Sequence, residues 1–197
     1  MNDRTKCTRP LRLLDGVASL ALSLLLHSGC ASAPRVPQAL AVPSGHQEFL
    51  CAHALGVQIY VSRTASIDDA TLRWELKGPE AMLFDDCGNV IGSHYAGPTW
   101  ESRRYDSKVA GSVLQRVPAP APDAIPWLLL QSKSTEGSGQ FQRVTYIHRL
   151  NTQGGLAPAA PPTRSGQEVR IHYSADYVFY RARHEGHFGS PAGSAEK

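Results

Sequence analysis

Thr71-Leu72-Arg73-Trp74-Glu75-Leu76-Lys77 decides the fold class. Apolar and charged residues alternate strictly along it, so that Leu72, Trp74 and Leu76 are predicted to face inward and Arg73, Glu75 and Lys77 outward. That is the period of a half-buried strand and not of a helix. Gly78-Pro79 then turns the chain. Working outward, Gly56-Val57-Gln58-Ile59-Tyr60-Val61 alternates in the same way, and short runs over 81–84 and 89–91 flank Asp85-Asp86-Cys87-Gly88 like the arms of a hairpin. Residues 108–117, 125–131, 141–150 and 168–181 supply further strand-like runs. The segments between them, 118–122, 136–139 and 154–162, are loops by their Gly and Pro content. Beyond the first thirty residues no segment keeps a 3.6-residue apolar period for three turns, apart from a turn near 66–71. The expectation is a single all-β domain, an antiparallel β-sandwich or partly closed barrel.

The N-terminus carries an address. Arg4, Lys6, Arg9 and Arg12 form a basic leader, Val17 to Leu26 is an apolar run broken only by small residues, and Ser28-Gly29-Cys30-Ala31 closes it. Basic region, short apolar core and small-residue site in that order make an export signal, and Gly29-Cys30 points to a lipoprotein site with Cys30 lipidated. The apolar run is about half the length needed to cross a bilayer. His27 stands where such sites usually have Leu, and ordinary cleavage near Ala31-Ser32-Ala33, giving a secreted protein, is the alternative. The domain plan is therefore a signal peptide over 1–29, an Ala/Pro-rich tether over 30–46, the β domain over 47–182 and a tail over 183–197. The expected place is the cell envelope, as an outer-membrane lipoprotein facing the periplasm and held to the membrane through its lipid.

Charge argues against a nucleic-acid partner. The chain has a formal net charge of +3, and removing the leader's basic and acidic residues leaves it close to neutral, without a basic patch. With Cys7 in the leader and Cys30 assigned to lipid, Cys51 and Cys87 remain as a pair in an oxidising compartment, and a disulfide between them is expected. Two buried thiols are the other possibility. No Cys-x-x-Cys spacing favours a metal, and His94, His148 and His172 lack the paired spacing that would argue for one, so neither metal nor cofactor is expected. His184-Glu185-Gly186-His187 is one residue short of a zincin spacing.

The densest chemical cluster is Ser93-His94-Tyr95-Ala96-Gly97-Pro98-Thr99-Trp100-Glu101. As a pocket wall it would offer His94 and Glu101 for binding or acid/base work and Tyr95 and Trp100 for stacking. Its structural alternative is a Gly-Pro turn with Tyr95 and Trp100 filling core. Asp176 joins the candidates from an aromatic strand, Tyr173 to Tyr180. No nucleophile elbow or catalytic set is present, so no catalytic residue is assigned.

Gly56 to Tyr60, His94 to Glu101, Ala124-Ile125-Pro126-Trp127-Leu128-Leu129-Leu130, Thr152-Gln153-Gly154-Gly155 and Tyr173 to Tyr180, in that order, resemble the domain-of-unknown-function 3455 family over roughly 42–181. The resemblance implies a small exported protein of bacterial or fungal type and implies no activity. Relatives often carry Cys where this chain has Ser62 and in the stretch matching 161–165, so their crosslink is not transferable. A dehydrogenase label attached to some fungal relatives finds no support here, because no Gly-x-Gly-x-x-Gly joins a strand to a helix. The leading expectation is a non-enzymatic envelope domain that binds a small ligand, glycan or protein on the His94 to Glu101 side. An envelope hydrolase using His94 with Glu101 or Asp176, and a purely structural envelope protein, are the alternatives.

Overall fold

The computed structural model describes residues 36–64 and 70–183. The leader with Cys30 and the tail from 184 onward lie outside the described residues. Eight strands follow one another: β1 (His46–Thr64), β2 (Leu72–Phe84), β3 (Val90–Tyr95), β4 (Thr99–Ser102), β5 (Ser107–Val117), β6 (Trp127–Gly137), β7 (Tyr146–Gly154) and β8 (Glu168–Ala182). Each pairs antiparallel with the next, and β8 returns to β1 from His46↔Ala182 to Val61↔Glu168, so the sheet closes into a barrel. The expected all-β antiparallel domain is present, and of its two forms the chain takes the ring. Joining sequence neighbours is the simplest topology for a chain of short hairpins, and closure leaves no unpaired edge.

Strand parity decides what fills the ring. Ala52 and Ala54 of β1, Ala81 and Leu83 of β2 and Ala175 of β8 point inward beside Trp100, Tyr177 and Phe179. Small residues on one arc leave room for large ones on the other. The closeness of β1 and β2 is absolute at Gly56, where a Cβ would lie 2.2 Å from the Glu80 carbonyl oxygen.

Trp74 and Leu76 do share a face, pairing with Ser62 and Tyr60. That face lies at the barrel's rim, however, so Leu76 is 50% exposed and Trp74 is capped by a loop whose Ala160 carbonyl accepts its indole N–H at 2.9 Å. The predicted strand over 141–150 starts late. A 3-10 turn, Gln140–Arg143, first drives Phe141 into the core against Phe179, ring centroids 5.0 Å apart. Part of the expected tether is also structural. A 3-10 turn, Gln38–Leu40, buries Leu40 completely on the outer wall with Trp127, Leu129 and Leu150, and His148 Nε2 donates to the Leu40 carbonyl at 2.7 Å.

The expected Cys51–Cys87 disulfide is not formed, and Cys51 is half-buried. β1 and β2 pair as far as His53↔Phe84, after which Asp85 accepts the backbone N–H groups of Cys87 and Asn89 at 2.9 and 2.8 Å. This tight turn lays the Asp86 carboxylate over Cys51 and His53.

Candidate functional site

The β3–β4 hairpin divides the cluster that the sequence singled out. His94 pairs with Trp100, and both point into the barrel. Their rings stack at 4.5 Å with an interplanar angle of 13°. Tyr95 and Glu101 are on the outer face, where the phenol donates to the carboxylate at 2.8 Å. That bond to Glu101 holds the Tyr95 phenol above its ordinary range. Asp176 is elsewhere, on the outer face of β8, bonded to His53 Nδ1 at 2.7 Å and accepting from Asn151 at 2.7 Å. The structure thus brings together His94 with Trp100 and Tyr95 with Glu101, and brings Asp176 to neither pair. His148 is tied to the outer wall and His172 is exposed, so the three histidines do not converge.

Beside His94 the barrel holds a pocket of about 250 Å³, opening between β2, the Gly97-Pro98 turn and β5. Leu76 and Val113, both half-exposed, form an apolar mouth. Trp100, Tyr177, Leu128 and Leu130 line its wall, with Gln58, His94 and Arg149 as its inner polar groups. Arg149 comes from β7. Its Nε and Nη2 donate to the Pro126 carbonyl at 3.1 and 2.9 Å, which aims the guanidinium across the interior. No carboxylate lines this pocket among the described residues, and none is ion-paired with Arg149.

The interior electrostatics follow from burial around that one cation. His94 Nδ1 faces the Thr99 carbonyl at 2.8 Å and so must donate, leaving Nε2 as an acceptor. Complete burial first, and Arg149 in addition, lower the His94 pKa to about 3 against the opposing Thr99 bond. The ring is neutral at any physiological pH. Burial raises the phenols of Tyr60, Tyr173 and Tyr177, with Arg149 opposing in each case. The hydroxyls of Tyr173 and Tyr177 and the guanidinium of Arg149 lie close together without reaching ordinary hydrogen-bond geometry. Gln58 Nε2 and the Trp100 N–H also have no protein partner.

The profile of a family described as "Protein of unknown function (DUF3455)" matches residues 43–181. The chain belongs to this family. No curated protein and no solved structure matches it. In this DUF3455 member the motif 152–155 packs against those at 56–60, 124–130 and 173–180. Gly154 and Gly155 both have positive φ, at 62° and 87°. They let the backbone press against Ile125, Gln58 and Tyr173, where a Cβ on Gly155 would come within 2.9–3.2 Å of all three. Tyr60 donates to the Gly155 carbonyl at 2.7 Å, and Thr152 donates to the Ile125 carbonyl at 2.6 Å.

Sequence reasoning missed Arg149, Gln58 and His53. Arg149 and Gln58 look like surface residues of alternating strands, and nothing short of the register reveals that they face inward. His53 left a fainter trace, since Cys51-x-His53 puts two ligating side chains on one face of a strand.

Proposed function

We propose that this DUF3455 protein is an exported, Cys30-anchored envelope domain whose barrel binds a small anionic molecule through Arg149. The observation that carries the reading is a guanidinium inside the barrel, beside a pocket with no carboxylate lining it. A partly buried cation without a counter-charge is costly, and an anion entering the pocket removes that cost. Trp100, Tyr177 and Leu128 supply an apolar surface for the rest of the ligand. Gln58 and Tyr177 supply polar atoms that no protein group uses, and the acceptor nitrogen of neutral His94 suits a ligand hydroxyl or N–H. At about 250 Å³ the pocket suits a compact carboxylate rather than a drug-sized molecule. A hydrolase pairing His94 with Glu101 is disfavoured, because the two lie on opposite faces of one hairpin.

Calorimetry and tryptophan fluorescence with a panel of small aromatic and branched carboxylates and their amides test the pocket. A charged hydrogen bond of about 1.5–3 kcal/mol predicts that acids outbind the matched amides by tenfold or more, and that Arg149→Met removes the difference. Equal binding of acid and amide, or an unaffected Arg149→Met protein, rejects the reading. Envelope anchoring rests on the leader alone. Cys30→Ser should release the protein from the membrane fraction with its fold intact, and an unchanged distribution would remove the lipid anchor from the proposal.

A further inference from the structure

On the outer wall, away from the pocket, the structure assigns a transition-metal site, best suited to Zn²⁺, to Cys51, His53 and Asp86. Cys51 Sγ, a His53 ring nitrogen and an Asp86 carboxylate oxygen all lie within 4.8 Å of one another. His53 Nε2 donates to Asp86 Oδ1 at 3.0 Å, the contact that an ion between them would replace. Tetrahedral zinc with bonds of about 2.0–2.3 Å separates its ligand atoms by about 3.3–3.8 Å. The set therefore has to move by no more than about 1 Å. Thiolate, imidazole and carboxylate together select zinc over magnesium or calcium, and three protein ligands leave a fourth position open.

A second observation points the same way. His53 Nδ1 faces Asp176 Oδ1 at 2.7 Å, and Asp176 Oδ2 in turn accepts from the Asn151 amide at 2.7 Å. A carboxylate on the far nitrogen is the arrangement that orients metal-binding histidines, and the ion takes the near nitrogen by displacing its proton to solvent. Asn151 holds this chain under backbone strain. Its φ of 51° makes it the one non-glycine residue in the left-handed region among the described residues, and it sits at the β7 bulge between Leu150 and Gln153. Bulges with strained residues re-aim side chains next to functional groups. The ligands also come from two different elements, β1 and the β2–β3 turn, so the ion would cross-link the turn to the barrel wall. The expected disulfide was to do the same with Cys87.

The test uses the purified, reduced protein with Zn²⁺ or Co²⁺ alone. Equilibrium dialysis should find one ion per chain. Co²⁺ should show a thiolate charge-transfer band and the visible bands of a four-coordinate site. Cys51→Ser abolishes the charge-transfer band and His53→Gln abolishes binding. Asp176→Asn, a positioning variant, keeps the stoichiometry and the thiolate band but weakens affinity by 10–100-fold. Circular dichroism confirms that each variant is folded, and an EDTA-reversible rise in Tm provides a second reading that needs no cobalt. A Co²⁺ spectrum without a thiolate band, or equal binding by wild type and folded Cys51→Ser, overturns the assignment. It is independent of the Arg149 pocket, and anion binding should be the same with and without zinc.

Discussion

Acid should unfold this barrel through His94 before it does so through its carboxylates. The imidazole is completely buried, stacked on Trp100 and edge-on to Tyr177 at 4.8 Å, and its pKa in the native state is about 3. In the unfolded chain it returns to an ordinary 6.5. Below pH 6.5 the unfolded state therefore holds a proton that the native state refuses. The stabilising contribution is complete above pH 6.5 and disappears as the pH falls towards 3. At about 1.4 kcal/mol per pKa unit the whole gap is on the order of 5 kcal/mol, of which about 3 kcal/mol is gone by pH 4. A loss of that size is a large share of a domain's total stability. His148 contributes in the same direction, since burial lowers its pKa too. Urea unfolding at intervals between pH 7.5 and 4 reads the effect, with His94→Phe as the control. The phenyl ring keeps the stack on Trp100 but leaves the Thr99 carbonyl unpaired, so it costs about 1–2 kcal/mol at pH 7.5. Because it cannot take up a proton, its stability should fall with pH less steeply, by up to about 1.4 kcal/mol per pH unit. Parallel curves for the two proteins would show that His94 titrates normally in the fold and would refute the reasoning.

Trp100→Ala removes a side chain 1% exposed that touches His94, Tyr177 and Phe179, and should cost about 3–5 kcal/mol in chemical denaturation. A loss under about 1 kcal/mol would mean that the interior can refill. Leu40→Ala should cost about 2–5 kcal/mol, because Leu40 is fully buried on the outer wall. A near-neutral result in the same assay would show that the 36–42 segment is not docked in solution. In spectrophotometric titration Tyr173 and Tyr177 should stay un-ionised until the protein unfolds in alkali, and Tyr180, pushed up to about 12 chiefly by burial, should ionise late. Reversible ionisation of every tyrosine near pH 10 in folded protein would contradict the packing of the interior.

What the sequence determined by itself is local. Alternation along 71–77 and 168–181 specifies strands, because a period of two sends successive side chains to opposite faces whatever the sheet's final shape. That Tyr173 and Tyr177 share a face was equally legible from parity, whereas Phe179 beside them, and the complete burial of Tyr177, are seen in the structure. The family too could be read from motifs, since the glycines of 154–155 and the aromatics of β8 stand at positions where backbone contact and core volume restrict the residue type. Only the tertiary structure decided which face of each strand turns inward and which strands meet. Closure of β8 on β1 makes one face the core, which is why His94 is hidden and Glu101 is not. It also places Arg149, an ordinary strand arginine in sequence, beside a pocket formed by other strands. Residues that meet where the ring closes are far apart in the chain: Asp176 reaches His53 from 123 positions away. Long-range pairing of this kind depends on register and bulges, and a one-residue slip exchanges inside for outside.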